Sequence, residues 1–146
     1  MIHAKKSFLR IIADTKNTDV IYNYLETTVR PPCDYSDLLR WQWVQAVSAL
    51  DKFIHDLIRI GMHEVSVNSR DATSKYNSFV IDMHSYNEIK QDPTVEWQVM
   101  ERQLNLKLGY MSFQDPSKVA DGLSYIWNEY SGTLVKTKID KFLNVS

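Results

Sequence analysis

Cysteine, glycine, proline and long apolar runs are all scarce in this sequence, and each scarcity excludes a class of protein. The single cysteine, Cys33, excludes an internal disulfide framework and any zinc site built from cysteines. No apolar run approaches the roughly 18 residues of a membrane span, and no signal-peptide core follows the first methionine. We therefore expect a cytoplasmic protein without a membrane partner, folded as a single domain over residues 1–146.

Charge of neither sign dominates the chain. It carries 17 Lys and Arg residues against 18 Asp and Glu residues, and residues 1–73 are as balanced as residues 74–146. This balance argues against a basic module that coats nucleic acid and against an acidic disordered tail. A hydrophobic content of 44% and an aromatic content of 12% are typical of a globular domain with a packed core.

The scarcity of turn-forming residues also predicts the fold class. Strands need a turn every eight to twelve residues, usually marked by Gly, Asn or Asp, whereas four glycines and four prolines divide this chain into longer pieces. Apolar spacing predicts an all-α protein, an irregular helical bundle around one long helix. The predicted helices cover 4–15 and 18–29 (or one bent helix over both), 36–60, 74–90, 95–108, a segment from 116, and 134–144.

The long helix over about 36–60 is the most informative element. Asp34 or Ser36 is expected to cap its start and Gly61 to end it. Two neighbouring stripes follow its length. The apolar stripe, which we expect to be buried, contains Leu39, Trp43, Val47, Leu50, Ile54 and Leu57, and the polar stripe contains Ser48, Asp51, His55 and Arg59.

The best candidate for chemistry is the set Asp51, His55 and Arg59, spaced four residues apart on one helix face. One interpretation is a catalytic group, in which the Asp51 carboxylate orients the His55 imidazole and the Arg59 guanidinium holds a phosphate. A surface ladder of ion pairs is the other, and it is the more common one. A pairing of Arg59 with His63 is disfavoured, because Gly61 between them is expected to interrupt the helix.

Other candidate sites are weaker. No nucleotide-binding, hydrolase or metalloprotease motif occurs, and no two of the four histidines share a metal-binding spacing, so we expect neither a metal nor a cofactor. Trp41 and Trp43 are assigned to the core and a dimer surface. The last predicted helix is locally basic, with Lys136, Lys138 and Lys141. We interpret these lysines as a solvent-exposed face, and contact with RNA is the less common alternative.

Two segments resemble a bacterial branch of the HEPN superfamily. The first is SALDKFIHDLIRIGM, Ser48 to Met62, and the second is MSFQDPSKVADGL, Met111 to Leu123. The matching positions of the second segment are Phe113, Gln114, Pro116, Lys118, Val119 and Ala120. The resemblance covers roughly residues 36–143.

The resemblance implies an all-α homodimer that belongs to a toxin–antitoxin pair or an anti-phage defence system. Active members are metal-independent RNA endonucleases whose signature is an arginine followed, after four to six residues, by a histidine. No such pair occurs in residues 1–146. The chain is then either a fragment or a natural form without the catalytic helix.

The same resemblance assigns roles to the candidate residues. Asp51 and His55 are expected to line the dimer cleft as supporting groups, with Arg59 as a phosphate contact. The implied partners are a second copy of the chain, RNA, and a cognate antitoxin or fused module. The alternative is a non-enzymatic helical module for dimerisation or regulation, which acts through a surface rich in Trp and Tyr.

Overall fold

The computed structural model describes residues 1–128, and no β-strand occurs among them, so the prediction of an all-α protein is confirmed. Its helices are α1 (Ile2–Tyr24), α2 (Asp37–Ser66), α3 (Ser74–Asn77), α4 (Met83–Gln91), α5 (Glu96–Leu108) and α6 (Pro116–Leu123), with a π-helical turn at Leu25–Val29 and a 3₁₀ turn at Pro93–Val95. None of these helices is long and apolar enough to cross a membrane. The helix predicted over 134–144 lies outside the described residues.

The described chain forms two compact units, and the boundary between them falls inside α2. One unit comprises residues 2–53, and the other comprises Met1 and residues 54–128. The second unit contains most of the buried apolar side chains: Ile54, Leu57, Ile58, Met62, Val65, Val99, Leu104, Leu108, Phe113, Leu123, Tyr125 and Ile126.

The first unit is built from α1 and the first half of α2, which run antiparallel. Phe8 near the start of α1 stacks on Phe53, with ring centroids 4.8 Å apart, and Tyr22 near its end lies 5.4 Å from Tyr35, just before α2. α1 is one helix rather than two, because no proline or glycine interrupts it before Pro31.

The turn between α1 and α2 is fixed by polar contacts. The Tyr35 hydroxyl donates a hydrogen bond to Glu26, and this bond raises the pKa of Tyr35 to about 12. Asp34 accepts a hydrogen bond from the backbone N–H of Ser36 at 2.8 Å. This bond turns the chain just before α2 and does not reach the N–H groups of its first turn, as a side-chain cap would. The same bond lowers the pKa of Asp34.

The prediction that Gly61 ends the long helix is wrong. α2 continues through Gly61 to Ser66 and is 30 residues long, about 45 Å. Gly61 is needed for close packing instead, because a Cβ atom there would lie only 2.5 Å from Cγ2 of Ile126. The helix ends before Asn68, whose φ of 57° is left-handed and matches the backbone that asparagine often adopts after a helix.

The predicted apolar stripe of α2 is buried only in its second half. Ile54 and Leu57 are buried, whereas Trp43 is 73% exposed and Leu50 is also exposed. In residues 37–53 the buried side chains are instead Ala49 and Phe53. The side of α2 that is buried therefore changes near the boundary between the two units.

The single helix predicted over 74–90 is also wrong, since α3 and α4 are separated by residues 78–82. Asp82 starts α4 by accepting a hydrogen bond from the backbone N–H of Ser85 at 2.7 Å, which favours a helix start over a continuing helix. Val80, which lies within the predicted range but outside both helices, is 79% exposed, and Met83 is exposed as well.

The predicted start of α6 is confirmed. The Asp115 side chain accepts hydrogen bonds from the Ser117 hydroxyl and backbone N–H, both at 2.8 Å, and Pro116 occupies the first helical position. These bonds lower the pKa of Asp115. The last turn of α6 leads into the buried side chains of Leu123 and Ile126.

Candidate functional site

His55 belongs to the polar stripe of α2, and its side chain packs within the second unit. Its Nε2 atom lies 3.3 Å from the backbone oxygen of Leu108 at the end of α5. Its ring meets the Phe113 ring edge-on, with centroids 4.7 Å apart. Because Phe113 and Leu108 are fully buried, the imidazole is held against the core and helps to position the chain between α5 and α6.

Arg59 forms ion pairs on the outer side of α2. Its guanidinium donates to Glu101 of α5 at 2.9 Å and lies 3.9 Å from Asp56, one turn earlier on its own helix. The Arg59 side chain remains 46% exposed, so this pair is worth at most about 1 kcal/mol. A phosphate group that bound Arg59 would have to compete with Glu101.

The continuity of α2 brings Arg59 and His63 onto one face, contrary to the sequence-based expectation. Together with Ile60 and Trp97 of α5 they line a shallow cleft of about 230 Å³. His63 meets the Trp97 ring edge-on at a centroid distance of 4.7 Å. The cleft was not predicted, because the helix interruption expected at Gly61 separated Arg59 from His63.

Asp51 occupies the same helix as His55 and Arg59, at the spacing that was predicted. It belongs to the first unit, whereas His55 and Arg59 belong to the second. Each unit has its own buried side chains. All three residues thus lie on α2. His55 contacts Leu108 at the end of α5 and Phe113 before α6, and Arg59 contacts Glu101 of α5.

Segments 48–62 and 111–123 meet in one core cluster, formed by His55 and Ile58 from the first and Phe113 and Gly122 from the second. A Cβ atom on Gly122 would lie 2.7 Å from Cε1 of Phe113 and 2.8 Å from Cδ1 of Ile58. Only glycine therefore allows α6 to approach this close. The His55 and Phe113 rings make a further contact between the same two segments.

A second concave surface lies in the first unit, between α1 and the start of α2. This apolar groove has a volume of about 510 Å³ and is lined by Thr18, Ile21, Tyr35, Asp37, Leu38 and Trp41. Ile21 and Trp41 are both exposed within it. Trp43 lies on another side of α2 and is also exposed, so neither tryptophan is a core residue in the described structure.

Within residues 1–128, no group of three or more His, Cys, Asp or Glu side chains could hold a metal ion. The basic residues Lys136, Lys138 and Lys141 lie outside the described part of the chain.

Comparisons with protein families, with curated proteins and with solved structures found no match to this chain.

Proposed function

We propose that this chain is a HEPN-like helical domain of a cytoplasmic toxin–antitoxin or anti-phage defence protein in a prokaryote. It is related in this proposal to metal-independent RNA endonucleases, but it binds RNA without efficient cleavage, because residues 1–146 lack the arginine–histidine signature. Its partners are a second copy of the chain, RNA, and a cognate antitoxin or fused module.

The observation that supports the proposal is the core cluster in which the two resembling segments meet. His55 and Ile58 come from the first segment, and Phe113 and Gly122 come from the second. Of these residues, His55 and Phe113 are 58 positions apart in sequence, match the family pattern and also contact one another. A chance resemblance of two separate segments would not require this contact.

The geometry around His55 and Arg59 favours binding over catalysis. A general acid or base must reach the proton that it transfers, whereas the His55 ring is held against Phe113 and the Leu108 carbonyl. Arg59 is the more accessible group, and a phosphate would replace Glu101 as its partner. The role proposed for His55 is therefore support, and the role proposed for Arg59 is phosphate contact.

Fluorescence anisotropy with labelled single-stranded RNA in EDTA tests this proposal on the full chain. Arg59→Gln should weaken binding and reduce the slope of log K against log salt concentration by about one. The matched control is Arg102→Gln, since Arg102 is 49% exposed and paired with Glu88 in the same way. Absence of RNA binding, or equal effects of both variants, would contradict the proposed role.

The second candidate is a non-enzymatic interaction module, and the apolar groove with its exposed Trp41 favours it. Aromatic side chains in exposed grooves commonly anchor protein partners. Under this alternative, RNA binding is absent, and Trp41→Ala abolishes complex formation with the native partner while the thermal midpoint hardly changes. The RNA measurement above therefore separates the two candidates directly.

A further inference from the structure

The two helices of the first unit bury few large side chains between them. The buried residues of this unit are Ala4, Thr15, Thr18, Ala49 and Phe53. The apolar groove between α1 and the start of α2 has a volume of about 510 Å³, and Ile21 and Trp41 are each about half exposed within it. A groove between two packed helices has the shape of a third helix, whereas an extended segment binds best to a sheet edge, which the described residues do not offer. The groove therefore favours a helix as its occupant.

Acidic side chains lie along the rim of the apolar groove. Asp37 lines it directly, and Asp14 lies within about 40° of both Thr18 and Ile21 around α1. The Tyr35 ring also lines the groove, and its hydroxyl donates to Glu26, which brings a third carboxylate close to the same surface. An occupant of the groove therefore meets negative charge at its edges.

Basic side chains near the groove do not balance this charge. Arg40 pairs with Asp37 at 3.1 Å, but both side chains are mostly exposed, so the pair is weak. Lys16 lies on the opposite side of α1 from the groove. Over residues 14–40 the chain carries five acidic and three basic side chains. Net negative charge disfavours RNA, an anionic lipid surface or the same surface of a second copy, and it favours an occupant with basic groups.

We propose that the apolar groove binds a basic amphipathic helix of another protein. The apolar face of that helix packs against Ile21 and Trp41, since a partly buried tryptophan is a common anchor of such interfaces. Its Lys or Arg side chains lie beside Asp14 and Asp37. The inference rests on the groove of the second candidate function and does not depend on RNA binding at Arg59, which belongs to the second unit.

Fluorescence anisotropy of labelled synthetic peptides, titrated with the full chain, tests the chemistry of the occupant. The probe is a peptide of about 18 residues with leucine at helical spacings of three and four and lysine elsewhere. Two matched peptides carry glutamine or glutamate in place of lysine. The lysine peptide should bind in the micromolar range, at least about tenfold more tightly than the glutamate peptide, with the glutamine peptide between them. No binding of the lysine peptide, or equal binding of all three, would overturn the proposal.

Substitutions in the chain locate the surface that binds the lysine peptide. Trp41→Ala should weaken binding at least about tenfold. Trp43→Ala is the matched control and should leave binding unchanged, because Trp43 is also exposed but lies about 160° around α2 from Trp41. Asp37→Asn should weaken binding about threefold and reduce its salt dependence, whereas Asp19→Asn, on another side of α1, should not. Equal effects within either pair of variants would contradict the proposed site.

Two further results would assign the groove to a different occupant. A dimer of the free chain that dissociates in Trp41→Ala, measured by sedimentation equilibrium, would assign it to a second copy. Binding of the lysine peptide only after Lys136, Lys138 and Lys141 are replaced by glutamine would assign it to the last residues of the chain itself. Either result would overturn the proposal, and neither would bear on RNA binding, which the Arg59→Gln variant tests separately.

Discussion

Replacing Gly61 by alanine is expected to destabilise the protein, although alanine is the better helix former. The added Cβ atom would lie 2.5 Å from Cγ2 and 2.8 Å from Cβ of Ile126, a side chain that is almost fully buried. Because these atoms are close to the Ile126 backbone, the clash cannot be relieved by rotation of a flexible side-chain end.

The expected size of the effect is a balance of two opposing contributions. Alanine in place of glycine inside a helix stabilises it by about 1 kcal/mol. Overpacking a filled core costs about 1–3 kcal/mol. The net loss should be about 1 kcal/mol in the free energy of unfolding, measured by guanidinium denaturation followed by circular dichroism.

A double-mutant cycle separates this account from a helix that ends at Gly61. Ile126→Leu removes the branched methyl group nearest to the new Cβ atom at nearly constant volume. In that background Gly61→Ala should cost at least about 0.5 kcal/mol less. An identical loss in both backgrounds would indicate a glycine required for its backbone conformation, and a stabilising Gly61→Ala would show that Ile126 is not close.

Three further results are expected. His55→Gln should destabilise the chain by about 1–2 kcal/mol, because the contacts of the imidazole with Phe113 and the Leu108 backbone oxygen are lost. The control His84→Gln, at an exposed side chain of α4, should change stability by less than about 0.5 kcal/mol in the same denaturation assay. Folding lowers the pKa of Asp115, so the ionised side chain stabilises the fold at pH values above the ordinary pKa of an aspartate, and this contribution is lost as pH falls through the lowered pKa. Asp115→Asn should therefore weaken the dependence of the thermal midpoint on pH between about 5 and 2. Spectrophotometric titration should show one tyrosine that ionises near pH 12, and Glu26→Gln should return the pKa of Tyr35 toward its usual 10. Because folding raises this pKa, protonated Tyr35 stabilises the fold below pH 10, and the contribution disappears as pH rises through about 12, the reverse of the Asp115 case.

Local signals in the sequence were enough to predict the helical class and several helix starts. Asp115 followed by Pro116 specifies a helix start through its own side chain and its fixed φ angle, so no distant residue is needed.

Errors occurred where a distant partner decides the outcome. Gly61 has the local character of a helix end, but its environment is determined by Ile126, some 65 residues later. The stripe on α2 was predicted to be buried throughout, yet its first half lies in a different unit with its own buried side. Val80 was placed inside a helix because the preference of Asp82 to start one was not recognised.

The candidate site was predicted in part. The spacing of Asp51, His55 and Arg59 correctly placed all three on one helix, since this depends only on helix geometry. The sequence did not predict that Glu101 and Trp97 of α5 lie beside Arg59 and His63. Such contacts depend on how α2 packs against α5, which no local pattern encodes.

The central proposal is that the chain binds RNA without cutting it, and one measurement tests this most directly. End-labelled single-stranded RNA is incubated with the full chain in EDTA and resolved on paired native and denaturing gels. We expect a shifted band on the native gel and intact RNA on the denaturing gel. Cleavage products that disappear in His55→Gln but persist in His84→Gln would contradict the account and assign a catalytic role to His55.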